Sequence, residues 1–521
     1  MRQIFPKLHN PLRSWMIFPL ACALVVIGVK IWMIAQSGSP TPYWDQWDAE
    51  GVILYPKYFD GTLSFSDLIA PHNEHRILIT RLWSLLLLGL NGYWDPILQM
   101  LANTVILGAF VALLVTAFRP ILDGVSWIAL MLFATVIFAL PFGWESTLAG
   151  FHSQWYFMLL FSIAGLYAII VATAFTARWW LAVLLLVASY FSLAAGTLAA
   201  AAAFAVCVLQ FVIGRRSGRG ELLALAILAA LTAVMVLYTP AIAGHGSLRA
   251  HSIEQFLRSF MEIASWPATT GHKGVAILVL GAILIQAPSA LVSIRIIGLR
   301  QPFTDRRWLL VALTGWAVLQ AAVVAYGRAV GPTASRYLDV FAIALTLNYA
   351  CLLNLLSESQ LSRLRRRLAV GATVLWLLLA LFGATKAIFT QTLPELTGKQ
   401  ATGQAETTNL RAYLDTGDIR AIENKPFLAI PYPNPQRLAM VVSQPIIRAL
   451  LPPALVGEAS AARAQQRGLA RFTGRPIQAL KNYALRWGVL LIPAGLTFFL
   501  LGLTMRWWGK ASYSEHFNKV R

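Results

Sequence analysis

The sequence is dominated by long apolar stretches, each about as long as a helix that crosses a bilayer. Such a helix needs about 20 apolar residues. Twelve stretches come close to this length, near 16–35, 97–118, 125–142, 155–174, 178–194, 196–213, 222–239, 274–297, 308–326, 337–356, 368–389 and 487–505. Because 58% of the 521 residues are hydrophobic and only 12% are charged, no soluble fold could bury this much apolar surface. We therefore predict an all-α polytopic membrane protein with about 12 transmembrane helices.

The basic residues indicate how the predicted helices cross the membrane. Lys plus Arg number 42 against 22 Asp plus Glu, which gives a net charge of +20. The basic runs fall in every second loop, as expected when Lys and Arg are retained in the cytoplasm, at 215–219, 300–307, 362–367 and 506–510. The positive charge therefore reflects topology and does not indicate nucleic-acid binding. We expect a bacterial-type inner-membrane protein with both termini in the cytoplasm.

The same topology places several substantial segments on the extracytoplasmic side. These are 36–76, 143–154, 240–273, 326–336 and 390–486. The last contains the proline-rich stretches IPYPNPQ and LLPPAL. Because proline interrupts regular structure, they predict a small mixed domain of short helices and strands. The expected organisation is a transmembrane module over 1–389, the extracytoplasmic domain over 390–486, and a last span with a cytoplasmic tail over 487–521.

Two shorter elements are predicted at the membrane surface. Residues 77–90 are apolar but too short to span comfortably. The stretch HSIEQFLRSFMEIASW has apolar residues at helical spacing, with Ser252 and Gln255 as a capping pair at its start. This amphipathic helix either lies on the outer leaflet or packs over the bundle.

The first extracytoplasmic segment concentrates negative charge in a basic protein. It opens with YWDQWDAE, which holds Asp45, Asp48 and Glu50 among aromatic residues. An aspartate there could act as a general base, with its basicity raised by partial desolvation. Trp44 and Trp47 could stack on a sugar ring or anchor the chain at the interface. Alternatively, one aspartate caps a juxtamembrane helix.

This loop resembles the first extracytoplasmic loop of GT-C-fold glycosyltransferases that use a polyprenyl-phosphate sugar donor. Aminoarabinose transferases of lipid A and protein O-mannosyltransferases are members of that superfamily. Their loop begins with an Asp-Glu pair, and a Pro-His element precedes the next helix. Here Asp45 and Gln46 stand in place of the pair, so Asp48 or Glu50 would have to replace the missing glutamate. The resemblance implies a GT-C-like bundle with a large first extracytoplasmic loop and sugar transfer with inversion.

Two later segments offer further candidates. WESTLAGFHSQW holds Glu145, which the resemblance implies as a second acidic residue, together with His152 and Gln154. YGRAVGPTASRY holds Arg328 and Arg336, which lie on the predicted outer side although most basic residues are expected in the cytoplasm. Arginine binds phosphate through paired hydrogen bonds, so we expect at least one of them to bind the phosphate of the carrier lipid. A lipid-headgroup contact or a structural salt bridge is the alternative.

The sequence HNEHR at 72–76 contains three residues of metal-binding type. A divalent ion could be held there, because imidazole and carboxylate are usual ligands. The candidate ligands are His72, Glu74, His75, Asp45 and His152. The spacing lacks the helical regularity of a zinc-enzyme motif, so no metal is assigned. We instead expect His75 and Arg76 to contact phosphate, while His72 and Glu74 hold the shape of the loop.

The predicted function is an integral-membrane glycosyltransferase that moves a sugar to an envelope glycan, lipid or protein acceptor. Asp45 is the predicted base, with Asp48 and Glu145 assisting. The residues expected at the lipid phosphate are Arg336, Arg328, Arg76 and His75, and those expected at the sugar or acceptor are Trp44, Trp47, Glu50, His72, Glu74, His152 and Gln154. One alternative is a membrane O-acyltransferase with a histidine base. Another is a transporter or flippase, which would need charged residues in the bundle interior, where the predicted spans have almost none.

Overall fold

The structure is a computed structural model that describes residues 15–357 and 362–518. Of the described residues, 78% are helical and none forms a strand. The long helices are α1 (Ile17–Ser37), α2 (Leu78–Asn91), α3 (Pro96–Ala117), α4 (Gly124–Ala139), α5 (Ser153–Ile169), α6 (Ala177–Tyr190), α7 (Thr197–Val212), α8 (Arg219–Leu237), α9 (Ile253–Ser265), α10 (Val275–Gly298), α11 (Trp308–Gly327), α12 (Ser335–Leu356), α13 (Arg363–Ala387), α14 (Leu393–Thr416), α15 (Ala470–Trp487) and α16 (Leu491–Asn518).

Short helical elements connect the long ones. The α-helical turns are Tyr55–Phe59, Phe65–Ile69, Trp144–Thr147, Pro435–Ser443, Pro445–Leu450, Pro453–Val456 and Glu458–Ala464. The 3-10 turns are Pro141–Gly143, Gly150–His152, Ala194–Gly196, Ala243–Leu248, Ile419–Ala421, Phe427–Ala429 and Gly488–Leu490. Wider π-helical turns occur at Trp47–Leu54 and Ile388–Thr392.

Within the described ranges, ten helices are long and apolar enough to cross a membrane. They coincide with ten of the predicted spans, so the prediction of a multi-pass helical membrane protein is confirmed. The other two predicted spans, 155–174 and 178–194, form the shorter helices α5 and α6 of 17 and 14 residues. These two helices pack together, and their Ser162 and Ser189 hydroxyls are 2.8 Å apart.

The first loop, the loop before α5 and the loop before α12 all lie at one end of the bundle. α1 ends there at Ser37 and α3 begins there at Pro96. We call this the polar end. The predicted cytoplasmic runs share the opposite end, where the Arg216 guanidinium lies 4.7 Å from the Phe303 ring and Arg506 donates to the Gly124 carbonyl.

A proline shapes the chain where α4 reaches the polar end. Leu140 precedes Pro141 and is extended rather than helical (φ −56°, ψ 148°), because a proline ring disfavours the α conformation of the residue before it. Lys30 Nζ on α1 donates a 2.9 Å hydrogen bond to the freed Leu140 carbonyl. The chain then turns through two short helices, and the second of them carries Glu145.

Segment 390–486 consists of helices joined by turns and irregular stretches and contains no strand, so the predicted strands are wrong. Its prolines do not separate strands. Pro435, Pro445 and Pro453 instead occupy the first turn of short helices, where their fixed φ and missing N–H are well accommodated. The segment begins without a break from the membrane, because α13 continues through the π turn into α14.

The C-terminal segment shares a hydrophobic core with the first loop. Trp47 packs edge-to-face on Trp94 with ring centroids 5.2 Å apart, and Tyr55 does so on the same Trp94 ring at 5.3 Å. Leu410 and Ile447 complete this cluster. Burial of large aromatic and aliphatic side chains is the main stabilisation available outside the bilayer, so loop and segment hold each other in place.

The amphipathic stretch forms α9 as predicted. Ser252 caps it by accepting a 3.1 Å hydrogen bond from the Gln255 backbone N–H. Ile263 and Ala264 are buried against the bundle, whereas Ile253 is 79% exposed. α9 therefore packs on α10 and α11 with one side, as the second alternative predicts, and leaves apolar residues uncovered on the other.

Candidate active site

Asp45 lies at the polar end in a short stretch before the first π turn. Its carboxylate is 3.5 Å from His72 Nε2, and it accepts a 3.2 Å hydrogen bond from Asn73 Nδ2. His72 is buried and is held edge-to-face on Phe151, whereas the Asp45 side chain is 53% exposed. His72 and Asn73 therefore hold one side of this carboxylate, and its other side is open to solvent.

Glu145 and Arg336 form an ion pair beside this carboxylate. Arg336 Nη1 is 3.1 Å from Glu145 Oε1, and the Arg336 backbone N–H donates to Oε2 at 3.2 Å. Ser335 fixes the join between the two segments, because its hydroxyl donates to the Phe142 carbonyl and accepts from the Glu145 N–H. The Arg336 side chain is still 41% exposed, so part of the guanidinium is free to meet a ligand.

The Asp45 and Glu145 groups belong to one electrostatic cluster. Asp45 interacts with the charges of both His152 and Arg336. His152 in turn interacts with Glu145 and Arg336. Residues about 290 positions apart in sequence, such as Asp45 and Arg336, are thus brought together at the polar end.

The pKa of Asp45 differs from the value expected for a desolvated base. Burial acts to raise this pKa, but the hydrogen bond and charge of His72, with help from His152 and Arg336, bring the net pKa below its usual value. The expectation that desolvation makes Asp45 more basic is therefore wrong. At neutral pH the carboxylate is ionised and ready to accept a proton.

Glu74, His245 and Arg328 form a second charged group at the polar end. The His245 ring pairs with the Glu74 carboxylate, and Arg328 Nη2 lies 3.6 Å from Glu74 Oε2 and 3.4 Å from His245 Nδ1. Burial lowers the pKa of the neighbouring His75 to about 4, so its ring is neutral at physiological pH. Arg328 is paired with Glu74 and His245. An uncharged His75 ring adds no positive charge that could attract a phosphate.

Several predicted site residues are occupied by structural contacts. Asp48 accepts from Arg437 Nε at 2.9 Å and from the Tyr432 hydroxyl at 2.7 Å, which ties the first loop to the C-terminal segment. Arg76 donates to the Tyr238 and Ile69 carbonyls, and its guanidinium stacks on the Tyr238 ring. Through these contacts Asp48 and Arg76 join separate parts of the chain.

Trp44, Trp47 and Glu50 are also engaged in contacts within the protein. Trp47 is buried in the shared core, so it offers no face to a sugar. Trp44 packs edge-to-face on Phe427 and donates its backbone N–H to the Pro431 carbonyl. Glu50 is only 1% exposed, and burial raises its pKa. Its carboxylate accepts hydrogen bonds from Ser84, Gln46, Gln99 and Tyr55.

His152 and Gln154, around the start of α5, are among the predicted residues that carry buried polar atoms without partners in the described part of the chain. His152 Nδ1 and Gln154 Oε1 are buried, and neither has a hydrogen-bond partner within the part of the chain that the structure describes. Burial lowers the pKa of His152, which favours its neutral form. Buried polar atoms normally find a partner, so these two are candidates for contact with a ligand.

Sequence reasoning missed two lysines near the cluster. Lys399 on α14 lies with its Nζ 3.4 Å from the centroid of the Tyr43 ring and 3.3 Å from Glu406 Oε1. Lys30 on α1 is fully buried and interacts electrostatically with Asp339 on α12. Hydropathy alone could have pointed to Lys30, because it is the one basic residue within α1.

The loop residues do not assemble into a metal-binding set. Among the described residues, no group of three or more His, Cys, Asp or Glu side chains is placed to hold a metal ion. His72 faces Asp45, whereas Glu74 pairs with His245, so the residues of HNEHR serve two different groups.

An apolar cavity of about 400 Å³ opens between α9, α10, α11 and α12. Its walls include Phe260 and Ala264 from α9, and Val340 and Phe341 from α12. On α12 the lining begins at Val340, four positions and about one helical turn after Arg336. The α9 side of the cavity is fixed to the α11–α12 loop, since Ser259 donates to the Ala329 carbonyl.

The chain matches no protein-family model, no curated protein and no solved structure. The resemblance of the first loop to GT-C enzymes therefore stays a prediction. Function is inferred here from the geometry of the polar end.

Proposed function

We propose that this protein is a membrane glycosyltransferase that takes a sugar from a polyprenyl-phosphate donor at the polar end. The observation that carries the proposal is that two accessible groups, the Asp45 carboxylate and the Arg336 guanidinium, share one electrostatic cluster, and that α12, which begins with Arg336, lines an apolar cavity from Val340 onwards. A carboxylate base, a phosphate-binding cation and a space for a lipid chain are the three parts that such a transfer needs.

The reaction would be a single displacement at the anomeric carbon. Asp45 accepts the proton of the acceptor hydroxyl while the hydroxyl oxygen forms a bond to that carbon. The bond between the carbon and the phosphate oxygen breaks, and its electron pair leaves on the polyprenyl phosphate. Arg336 stabilises the charge that develops there, because a hydrogen bond between a guanidinium and a phosphate oxygen is charge-assisted and stronger than a neutral one. Attack opposite to the leaving group inverts the configuration.

His72 and Glu145 would position these two groups. His72 and Asn73 hold the Asp45 carboxylate from behind, which fixes the direction in which it accepts a proton. Glu145 holds Arg336 by its side chain and its backbone, so the guanidinium is placed before the donor arrives. Glu145 is thus a positioning residue in this proposal, and it need not act as a second base.

The apolar cavity would take the first part of the polyprenyl chain. Its lining is almost entirely apolar, with Gln286, Ser289 and Thr314 as the few polar contributors. Cavities of a few hundred Å³ hold ligands of drug-like size, so only a few isoprene units would be enclosed and the rest would extend into the bilayer. The phosphate would then lie at the α12 N-terminus, where backbone N–H groups and Arg336 both favour an anion.

The test is transfer by purified protein in lipid nanodiscs, supplied with labelled polyprenyl-phosphate monosaccharides and a lipid extract of envelope membranes as the acceptor. We expect release of polyprenyl phosphate and transfer of label to the extract. Asp45→Asn should lower the rate by about 100-fold or more, because the amide accepts no proton in the transition state. Arg411→Ala, which removes a solvent-exposed arginine on α14, is the control and should leave the rate unchanged. Full activity of the Asp45→Asn protein would remove Asp45 from this role.

A transporter of lipid-linked sugars is the second candidate, and one observation favours it. The bundle interior is not entirely free of charge, because Lys30 and Asp339 are both buried between helices. Such residues are costly in a membrane and often lie on transport routes. Transport would be supported instead by two results together. The donor would stay intact without label transfer in the nanodisc experiment, and it would move across the membrane of proteoliposomes that contain the protein.

A further inference from the structure

A second cavity lies at the polar end, formed where the α2–α3 connection meets the C-terminal segment. Its volume is about 350 Å³, and it shares no lining residue with the charged cluster around Asp45. Its walls come from the stretch between Tyr93 and Ile97, from residues 452–465 and from α15. We call it the Tyr93 cavity. The exposed lining is half polar, in contrast to the apolar cavity between the membrane-spanning helices.

Hydrogen bonds between the three walls fix the shape of the Tyr93 cavity. The Trp94 N–H donates to the Leu450 carbonyl at 2.8 Å, which joins the first wall to the second. The Thr473 hydroxyl on α15 donates to the Leu90 carbonyl at 2.6 Å, which joins the third wall to the first. The cavity therefore exists before any ligand binds, so little ordering is needed on binding.

The charged residues in the floor are already satisfied. Asp95 Oδ1 caps α3 by accepting from the Leu98 N–H at 3.1 Å, and its Oδ2 accepts from Lys481 Nζ at 2.6 Å and Gln478 Nε2 at 3.1 Å. This pairing leaves neither the Asp95 carboxylate nor the Lys481 ammonium free to bind an ion.

The remaining polar side chains are available to a ligand. Gln465, Asn482 and Glu458 line the cavity, and their side chains make no hydrogen bonds within the described part of the chain. The two amides can each donate and accept, and the carboxylate accepts only. Tyr93 and the prolines Pro452 and Pro453 supply flat apolar faces between these groups.

We infer that the Tyr93 cavity binds a neutral saccharide. A sugar ring presents hydroxyls that donate and accept around its edge and C–H groups on its faces, which matches amides and a carboxylate placed beside an aromatic ring and prolines. A lipid chain would leave the polar walls unpaired, and an anion would meet the free carboxylate of Glu458. A bound peptide chain usually pairs with a strand edge or fills a long groove, and this short cavity is built from helices and loops.

The inference does not depend on transferase activity, and its test measures binding alone. Full-length protein in nanodiscs is examined by saturation-transfer difference NMR with D-glucose, D-mannose, D-galactose and N-acetyl-D-glucosamine. Inorganic phosphate, which carries no observable proton, and the tripeptide Ala-Ala-Ala are added as competitors that represent the other ligand classes. We expect at least one saccharide to bind at about 10 mM or below, and neither phosphate nor tripeptide to displace it. The Asp45→Asn protein should bind the same saccharide equally well, so failure of the proposed chemistry would not affect this result.

Variants at the cavity provide the decisive comparison. Replacing Gln465 and Asn482 together with alanine should weaken saccharide binding about tenfold, since two hydrogen bonds are lost. Gln466→Ala is the matched control, because Gln466 is exposed, neighbours Gln465 and lies outside the cavity lining. A thermal unfolding temperature equal to that of the wild type shows that the double variant is folded. No saccharide binding by the wild type, equal binding by the double variant, or preferential binding of the tripeptide would each overturn the inference.

Discussion

Arg336 Nη1 lies 3.1 Å from Glu145 Oε1, and the two residues are also joined through the Arg336 backbone N–H. The pair connects α12 to the short helix that follows α4, across 191 positions of sequence. Arg336 thus donates one hydrogen bond from its side chain and one from its backbone to the two carboxylate oxygens of Glu145. This pairing positions the guanidinium, and part of it stays exposed.

Substitution of Arg336 should weaken binding of the lipid phosphate. Arg336→Ala is expected to lower the affinity for polyprenyl phosphate by about 10- to 100-fold, because a charge-assisted hydrogen bond is lost. Arg336→Lys should recover only part of this, since an ammonium cannot bind two oxygens in a fixed plane. The measurement is titration of nanodisc-embedded protein with polyprenyl phosphate, and Arg411→Ala is the control. A lowered unfolding temperature with unchanged affinity would show that the pair is only structural.

The contact of Asp48 with Arg437 and Tyr432 predicts a modest effect on stability. Arg437→Ala should lower the free energy of unfolding by about 1 kcal/mol, a small value because the ion pair is partly exposed to solvent. Thermal unfolding in detergent would measure it. Arg420→Ala removes a similar but more exposed pair with Asp418 and should change the unfolding temperature little. Equal effects of the two variants would show that Asp48 does not anchor the C-terminal segment.

Gly143 provides a test of how tightly the segment before Glu145 is packed. A Cβ at this position would lie 2.2 Å from Asp339 Oδ2, so Gly143→Ala must displace that buried carboxylate. We expect a loss of about 1–3 kcal/mol in unfolding free energy, as found for overpacked interiors. Gly371→Ala on α13 is the control, because its Cβ would meet no atom within 4 Å and alanine favours a helix. Thermal unfolding of the two variants in nanodiscs should differ in sign.

The buried His75 predicts that stability falls in mild acid. An unfolded histidine takes up a proton near its ordinary pKa of 6.5, whereas folded His75 does so only near 4. Between these values the unfolded chain binds more protons, so lowering the pH favours unfolding, by about 1–3 kcal/mol over that range. His75→Asn should reduce the slope of unfolding temperature against pH between pH 6.5 and 4. His251→Asn, at an exposed histidine, should not. Parallel slopes for all three proteins would contradict the assignment.

Local sequence patterns predicted the elements of this fold better than the partners of its polar side chains. Hydropathy located ten spans, and the Ser252 cap located the start of α9, because both signals lie within one element. The partner of Asp48 lies 389 positions away, and Glu50 is bonded to Gln99, 49 positions away. No local pattern distinguishes such carboxylates from an exposed base. The proximity of Asp45 and Arg336 was predicted only because the topology derived from the basic runs placed both loops on the same side of the membrane.

The uninterrupted helix from Arg363 to Thr416 gives the polar end a mechanical link to the bilayer. Its α14 part is 24 residues long, which corresponds to about 36 Å at the usual rise per residue. Pivoting this rod by only about five degrees in the lipid would carry its far tip sideways by about 3 Å. Lys399, near the base of the rod, contacts the Tyr43 ring, so a change in the tilt of the rod would be passed to the first loop through this contact.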